Sequence, residues 1–219
     1  MKISNRLKTI SDLIKDGSKV IDIGCDHALL DIYLTIYKNC NCIASDVNDN
    51  VLKISNENVS KYNLNDKIKV IKSNGIENIN VEGDEYIVIA GMGTNTILEI
   101  LSNDKFKNNN NLIIQTNNNL DLFRKRIKTF GYYIEDEKIV FENKKYYVIM
   151  YLKKGKRKYK KIEYILGPKI LSNLDLSLRT EYLNYILKKY EYIYSQLPKY
   201  KFIERIKINK IKKKLKKYI

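Results

Sequence analysis

Between residues 18 and 152 the chain alternates two kinds of pattern. KVIDI is followed by HALLDIYLTIY, NCIAS by NDNVLKISNENVSKY, and then come KIKVIK, YIVIA, TNTILEILS, LIIQT and NLDLFRKRIKTF. Short β-rich runs separated by helical segments are the arrangement that parallel strands require, because each strand must be reached by a crossover. The pattern predicts an α/β domain whose strands are buried on both faces, with any ligand held at their C-terminal ends. The last two strand-like runs, YYIEDEKIVFE and KKYYVIMYLKK, flank Asn143 and predict an antiparallel hairpin.

After this alternation the chain changes character. Residues 153–161 form a basic linker, and beyond Gly167 and Pro168 the apolar residues fall at helical spacing: Leu171, Leu174, Leu178, Tyr182, Tyr185, Ile186, Tyr190, Ile193 and Leu197. Pro198 ends that stripe, and Phe202, Ile203, Ile206, Ile211, Leu215 and Tyr218 make a shorter one. Two domains are therefore expected, an α/β body over 1–152 and a helical, coiled-coil-like hairpin over 153–219.

Charge separates the same two parts. Residues 1–152 hold 20 Lys/Arg and 20 Asp/Glu, whereas 153–219 hold 21 Lys/Arg against 5 Asp/Glu, so the whole net charge of +16 lies in the last third. The abundance of Ile, Asn, Tyr and Lys is the signature of AT-rich codons, but such bias acts evenly along a chain. The asymmetry points instead to a polyanion-binding appendage on a neutral body. Lys212, Lys213, Lys214, Lys216 and Lys217 are its candidate RNA contacts, with Arg6 added from the N-terminal segment.

Other classes are disfavoured. No run of about 18 uncharged apolar residues is present, and the polar, amphipathic N-terminus is unlike an export signal. A cytoplasmic monomer with no membrane or protein partner is expected. Cys25, Cys40 and Cys42 are odd in number and lack companions for a zinc site, so they read as small buried residues with no metal. The asparagine runs at 108–111 and 117–119 read as loop drift.

VIDIGCDHALL at 20–30 carries the chemistry: a strand ending in Asp22, then Gly24, then Asp26 and His27 at a helix start. A dinucleotide fingerprint would need three glycines, and only Gly24 is present. An acid two residues before a lone glycine suits a cationic amino acid, such as the methionine moiety of S-adenosylmethionine. A plain strand-to-helix turn capped by Asp26, with His27 facing the core, is the competing reading. Asp46 ends the second strand, about twenty residues past the glycine, where an acid can take both ribose hydroxyls. Asn74 and Gly75 follow the third strand, either on the adenine edge or simply as a turn. Ala90, Gly91, Met92 and Gly93 follow the fourth, leaving room for an incoming base beside a pliable apolar wall. Gln115 and Asn117 follow the fifth. An NPPY-type string, common in enzymes that methylate adenine N6, is absent.

VIDIGCDHALL, SNGI at 73–76, IAGMG, LIIQTN and the later LGP together resemble the bacterial tRNA adenine-22 N1-methyltransferases, over essentially the whole chain. The departures are Leu29 in place of tyrosine, Asp31 and Thr116 in place of prolines, and Asn74 in place of aspartate. The resemblance implies a Rossmann-like class I methyltransferase sheet with a C-terminal helical extension, S-adenosylmethionine as cofactor, and tRNA as substrate. It also implies methyl transfer to N1 of adenine, with Asp26, Gln115 or Asn117 as acceptors for the base's N6 hydrogens.

Overall fold

The computed structural model describes residues 1–109, 111–172 and 175–219. Asn110 of the first asparagine run, and Leu174 of the apolar stripe, lie outside the described residues. The chain divides into two compact units, Met1–Arg157 and Lys158–Ile219. The division falls after the linker's first residues because the last strand runs to Lys154.

The first unit opens with helix α1 (Asn5–Asp12), capped by the Ser4 hydroxyl, which accepts from the Leu7 amide. Then follow β1 (Lys19–Ile23), α2 (Leu29–Lys38), β2 (Asn41–Asp46), α3 (Asp49–Lys61) and β3 (Ile68–Lys72). β4 (Tyr86–Met92), α4 (Thr94–Ile100), β5 (Asn111–Thr116) and α5 (Leu120–Arg126) continue the alternation, and β6 (Tyr132–Glu142) with β7 (Lys145–Lys154) closes it. All seven strands form one sheet in the order β3-β2-β1-β4-β5-β7-β6. The first five are parallel, while β7 enters antiparallel beside β5 and pairs with β6 as the expected hairpin.

Strand order reverses between β1 and β4, so the crevice of this sheet opens above their C-terminal ends. Ile21, Ile87, Val88, Ile89, Ile113 and Ile114 are buried in the central strands, which explains why these strands read as continuous apolar runs. One ion pair sits inside this packing: Arg124 Nε donates to Glu137 Oε1 at 2.8 Å, both side chains fully buried. The three cysteines are free and buried.

The reading of the asparagine runs as loop drift needs correction. Asn109 is fully buried, and its amide donates to the Glu85 carbonyl while accepting from the Asn111 amide. Asn118 Oδ1 accepts the Thr94 amide at 3.0 Å, and Asn119 takes a left-handed conformation at the start of α5. These asparagines serve as turn and cap residues, which is what a short polar side chain does well.

In the second unit, α6 (Glu163–Leu166) precedes α7 (Leu176–Gln196) and α8 (Phe202–Leu215), and the last two pack on each other. Helix α7 starts later than its apolar stripe suggested: Asp175 is the cap, accepting from the Leu178 amide, and Leu171 lies in a separate short turn. Tyr182, Leu183 and Ile186 are buried, whereas Phe202 and Ile203 of the second stripe are exposed. The second unit holds 17 Lys/Arg against 5 Asp/Glu. Among the described residues no helix is long and apolar enough to cross a membrane.

Candidate active site

The β1–α2 loop builds the floor of the crevice. Gly24, Asp26 and Ala28 all have positive φ (77°, 51° and 56°), two of them without being glycine. Such left-handed residues are costly, so the surroundings must hold them. Helix α3 does so: Ser55 Oγ donates to the Asp26 carbonyl at 2.9 Å and Asn58 Nδ2 to the His27 carbonyl at 3.0 Å. The Gly24 and Cys25 amides both donate to the Ser45 carbonyl of β2.

This geometry corrects the sequence reading of Asp26 and His27. Helix α2 begins only at Leu29, its cap position is Ala28, and Asp26 caps nothing. The Asp26 carboxylate projects into solvent at the rim, 3.5 Å from His27 Nε2. His27 is only partly buried, facing the cavity rather than the core.

Two cavities lie side by side along the crevice. The first, about 460 Å³, is lined by Arg6, Asp22, Gly24, Asp26, His27, Asp46, Ala90, Gly91, Met92, Asn117 and Tyr147 among others. A second of about 420 Å³ is lined by Asp46, Val47, Ser73, Asn74, Gly75, Ile76 and Glu77 with residues of α4. They share Gly24, Asp46 and Met92. A Cβ at Gly24 would meet the Met92 terminal methyl, which a flexible thioether can move aside, and it is the left-handed φ of 77° that favours glycine here.

Asp22 is the electrostatic centre. It is 5 % exposed at the end of β1, and among the described residues no group donates a hydrogen bond to its carboxylate. Burial pushes its pKa up to about 7, Arg6 opposes the rise, and the Asp46 and Asp26 charges add to it. A buried carboxylate aimed at a cavity without a donor calls for a cationic ligand group. Asp46 differs, since one of its oxygens already accepts the Asn48 amide at 2.9 Å.

Arg6 was expected on the RNA-binding surface, yet α1 carries it into the cavity. Its Nη1 donates to Gln115 Oε1 at 3.0 Å, and the guanidinium lies 5.7 Å from the Tyr147 ring centre. Among the described residues it is the only lysine or arginine lining the first cavity.

Gln115 also changes role. It is fully buried, its oxygen accepts from both Arg6 and the Gly91 amide, and its nitrogen donates to Asn117 Oδ1 at 3.1 Å. With both lone pairs of that oxygen engaged, Gln115 is no free acceptor for a base. Instead it orients Asn117, whose Nδ2 donates to the Gly91 carbonyl at 2.6 Å, leaving one Oδ1 lone pair open. Gly91 (φ 81°) lies at a register shift in β4 that turns Met92 into the crevice.

The remaining expected residues divide. Asn74 and Gly75 line the second cavity, but the Asn74 side chain donates to Glu77 Oε1 and is exposed. Gly93 caps α4 and borders neither cavity. Lys214 and Lys217 join Lys160, Lys161 and Tyr218 around a concavity of about 750 Å³ in the second unit. Lys212 packs over the Tyr194 ring at 4.7 Å, while Lys213 and Lys216 are exposed. Tyr147 and Leu7 are lining residues that the sequence did not single out. Tyr147 could have been found only by knowing which face of β7 looks toward α1.

With the geometry in place, relatives become informative. Residues 3–150 match the family described as methyltransferase domain. The chain is 33% identical over 160 residues to the tRNA (adenine(22)-N(1))-methyltransferase of Bacillus subtilis strain 168, covering 72% of this chain and 67% of that protein. The solved structure of M. capricolum TrmK in complex with the natural cofactor product S-adenosyl-homocysteine superposes with a TM-score of 0.85 at 31% identity, covering 100% of this chain and 98% of that one. The B. subtilis m1A22 tRNA methyltransferase TrmK superposes with a TM-score of 0.86 at 26% identity, covering 100% and 99%.

Proposed function

Because the chain belongs to the tRNA (adenine(22)-N(1))-methyltransferase family, we propose a specific division of labour for its residues in methylating N1 of an adenine in tRNA, at position 22. The protein is an S-adenosylmethionine-dependent enzyme of the class I fold. When bound, that cofactor supplies an electrophilic methyl group on a sulfonium.

One observation carries the assignment of the cofactor site. The first cavity sets a buried carboxylate, Asp22, with no hydrogen-bond donor among the described residues, beside the guanidinium of Arg6. An α-amino acid moiety has one ammonium and one carboxylate, and this pair of opposite charges complements both. Asp22 holds the ammonium, Arg6 the carboxylate, and the free oxygen of Asp46 the ribose hydroxyls. Gly75 and Ile76 flank the adenine in the second cavity, where the Asn74 side chain is turned toward Glu77.

Neutral adenine already offers a lone pair at N1, so no residue has to remove a proton. The chain's part is alignment and electrostatics. Asn117, fixed by Gln115 and the Gly91 carbonyl, accepts an N6 hydrogen of the target base and sets N1 toward the methyl group. Asp26 at the rim offsets the positive charge that moves onto the base. N1 lies on the pairing edge, so the base must leave its helix first. The basic second unit, with Lys160, Lys161, Lys214 and Lys217 around one concavity, holds the phosphate backbone while it does.

The test is to incubate the protein with total tRNA and S-adenosylmethionine and to map reverse-transcription stops, which N1-methyladenine causes. A stop at adenine 22 is expected. Methylation at another nucleotide, or none, would overturn the assignment.

A further inference from the structure

The β6–β7 hairpin reaches beyond the sheet that carries it. β5 ends at Thr116, and its last registered pair with β7 is Gln115 with Ile149, whereas β7 begins at Lys145. The four residues before Ile149, with their partners on β6, therefore overhang the cleft edge by about 13 Å. Tight closure keeps this overhang in shape: Asn143 and Lys144 have φ of 49° and 61°, the left-handed pair of a two-residue hairpin turn. The arm is tied down as well, since Glu142 Oε1 accepts the Asn5 amide at the start of α1.

Successive residues on this arm face opposite ways. Tyr147 lines the first cavity, so Tyr146 lies on the other face, paired across the hairpin with Phe141. Their ring centres are 4.6 Å apart, tilted by 43°, and Phe141 is 50 % exposed. Lys144 and Lys145 beside them are exposed, and among the described residues neither has an acidic partner. Phe141, exposed and packed against the half-buried Tyr146, with two cations beside it that have no acidic partner among the described residues, is suited to a nucleobase and its phosphate, since stacking and charge then act together.

We propose that the overhanging hairpin tip, Phe141 and Tyr146 flanked by Lys144 and Lys145, stacks on a tRNA base next to the target and supports the target's exit into the cavity. The inference rests on the tRNA-methylating reading and extends it. Turning a base out of a helix leaves its neighbours unstacked, and an aromatic surface at the tip of the arm, on the face opposite the one that lines the cavity, offsets that loss. The contact is built on the first unit, independent of the basic second unit.

The experiment compares the full-length protein with Phe141→Ala and Phe141→Trp. The alanine variant should lower kcat/KM for tRNA about 5- to 100-fold while leaving S-adenosyl-homocysteine affinity unchanged, and tryptophan should retain the activity. A photoreactive phenylalanine analogue at 141 should crosslink to tRNA within a few nucleotides of adenine 22. Unchanged kcat/KM in Phe141→Ala, a crosslink elsewhere on the tRNA, or a dimer that dissociates on the substitution would each overturn the proposal. If the unaltered protein methylated no tRNA, the activity reading would fail by itself, and the crosslink would still decide the contact.

Discussion

Removing the Arg6 guanidinium separates a cofactor role from an RNA role. In Arg6→Ala the first cavity loses the one Lys/Arg side chain that lines it among the described residues, and Gln115 Oε1 keeps the Gly91 amide as donor. A hydrogen bond between charged groups contributes about 1.5 to 3 kcal/mol, so S-adenosylmethionine should bind about tenfold to 150-fold more weakly. Some of that loss can arise indirectly, because Arg6 also holds down the pKa of Asp22. Decarboxylated S-adenosylmethionine distinguishes the routes. It retains the ammonium that faces Asp22 and lacks the carboxylate assigned to Arg6. Calorimetry on both ligands should show the unaltered protein favouring the carboxylated form and Arg6→Ala having lost that preference. An equal loss for both ligands would mean that Arg6 acts through Asp22 or through the fold. Unchanged cofactor affinity with weakened tRNA binding would return Arg6 to the RNA surface.

Asp22 makes cofactor affinity pH-dependent. The empty site has its pKa near 7, and the ligand's ammonium needs the ionised form, so affinity should fall by up to tenfold per unit as pH drops below 7. Asp22→Asn should bind weakly with a flat profile, and a flat profile in the unaltered protein would refute the role. Asp31 is fully buried, neither carboxylate oxygen has a partner, and burial with the nearby Asp22 pushes its pKa well above the usual carboxylate value. A raised folded-state pKa means stability that is complete below about pH 4 and lost as pH rises toward the folded value. Asp31→Ala should therefore melt higher than the unaltered protein at pH 8, by about 2–4 °C per kcal/mol relieved, with the gap closing near pH 4. A gap independent of pH would exclude an ionisation origin. Lys214→Glu with Lys217→Glu should flatten the dependence of tRNA affinity on salt by about two units of log–log slope. The same slope in the double variant would show that this concavity meets no phosphate.

The sequence was most legible where one residue pattern has one structural solution. Strands buried on both faces read as apolar runs, and the alternation with helices required parallel pairing, so the sheet, its closing hairpin and the acids at Asp22 and Asp46 could all be read in advance. Spatial order was not legible in the same way. That α1 folds over the cleft depends on packing between segments far apart in sequence, and without it Arg6 looked like one more basic residue. The loop at 24–28 misled for another reason. Asp26 and Ala28 are left-handed without being glycine, so nothing in their identity announced the extra turn that delays α2 to Leu29. Gln115 and Asn117 were seen as alternatives, but the network makes one of them the support of the other. In the C-terminal unit helical periodicity located both helices, yet it could not tell a buried stripe from an exposed one at Phe202 and Ile203.

Met92 lies across the middle of the cleft, its terminal methyl against Gly24, with one cavity on each side. A ligand that runs from Asp22 to Asn74 crosses the boundary that Met92 shares with Gly24 and Asp46, so the rotamer of the thioether bears on how the two halves join. Methionine suits such a post because it has three rotatable bonds and no branch near the backbone. The consequence is kinetic: a stiffer, branched residue at this position would leave every polar anchor in place and still slow the exchange of spent cofactor for fresh. Slower turnover with unchanged cofactor affinity in Met92→Val is the expected outcome, and unchanged turnover would separate the rotamer freedom of this residue from catalysis.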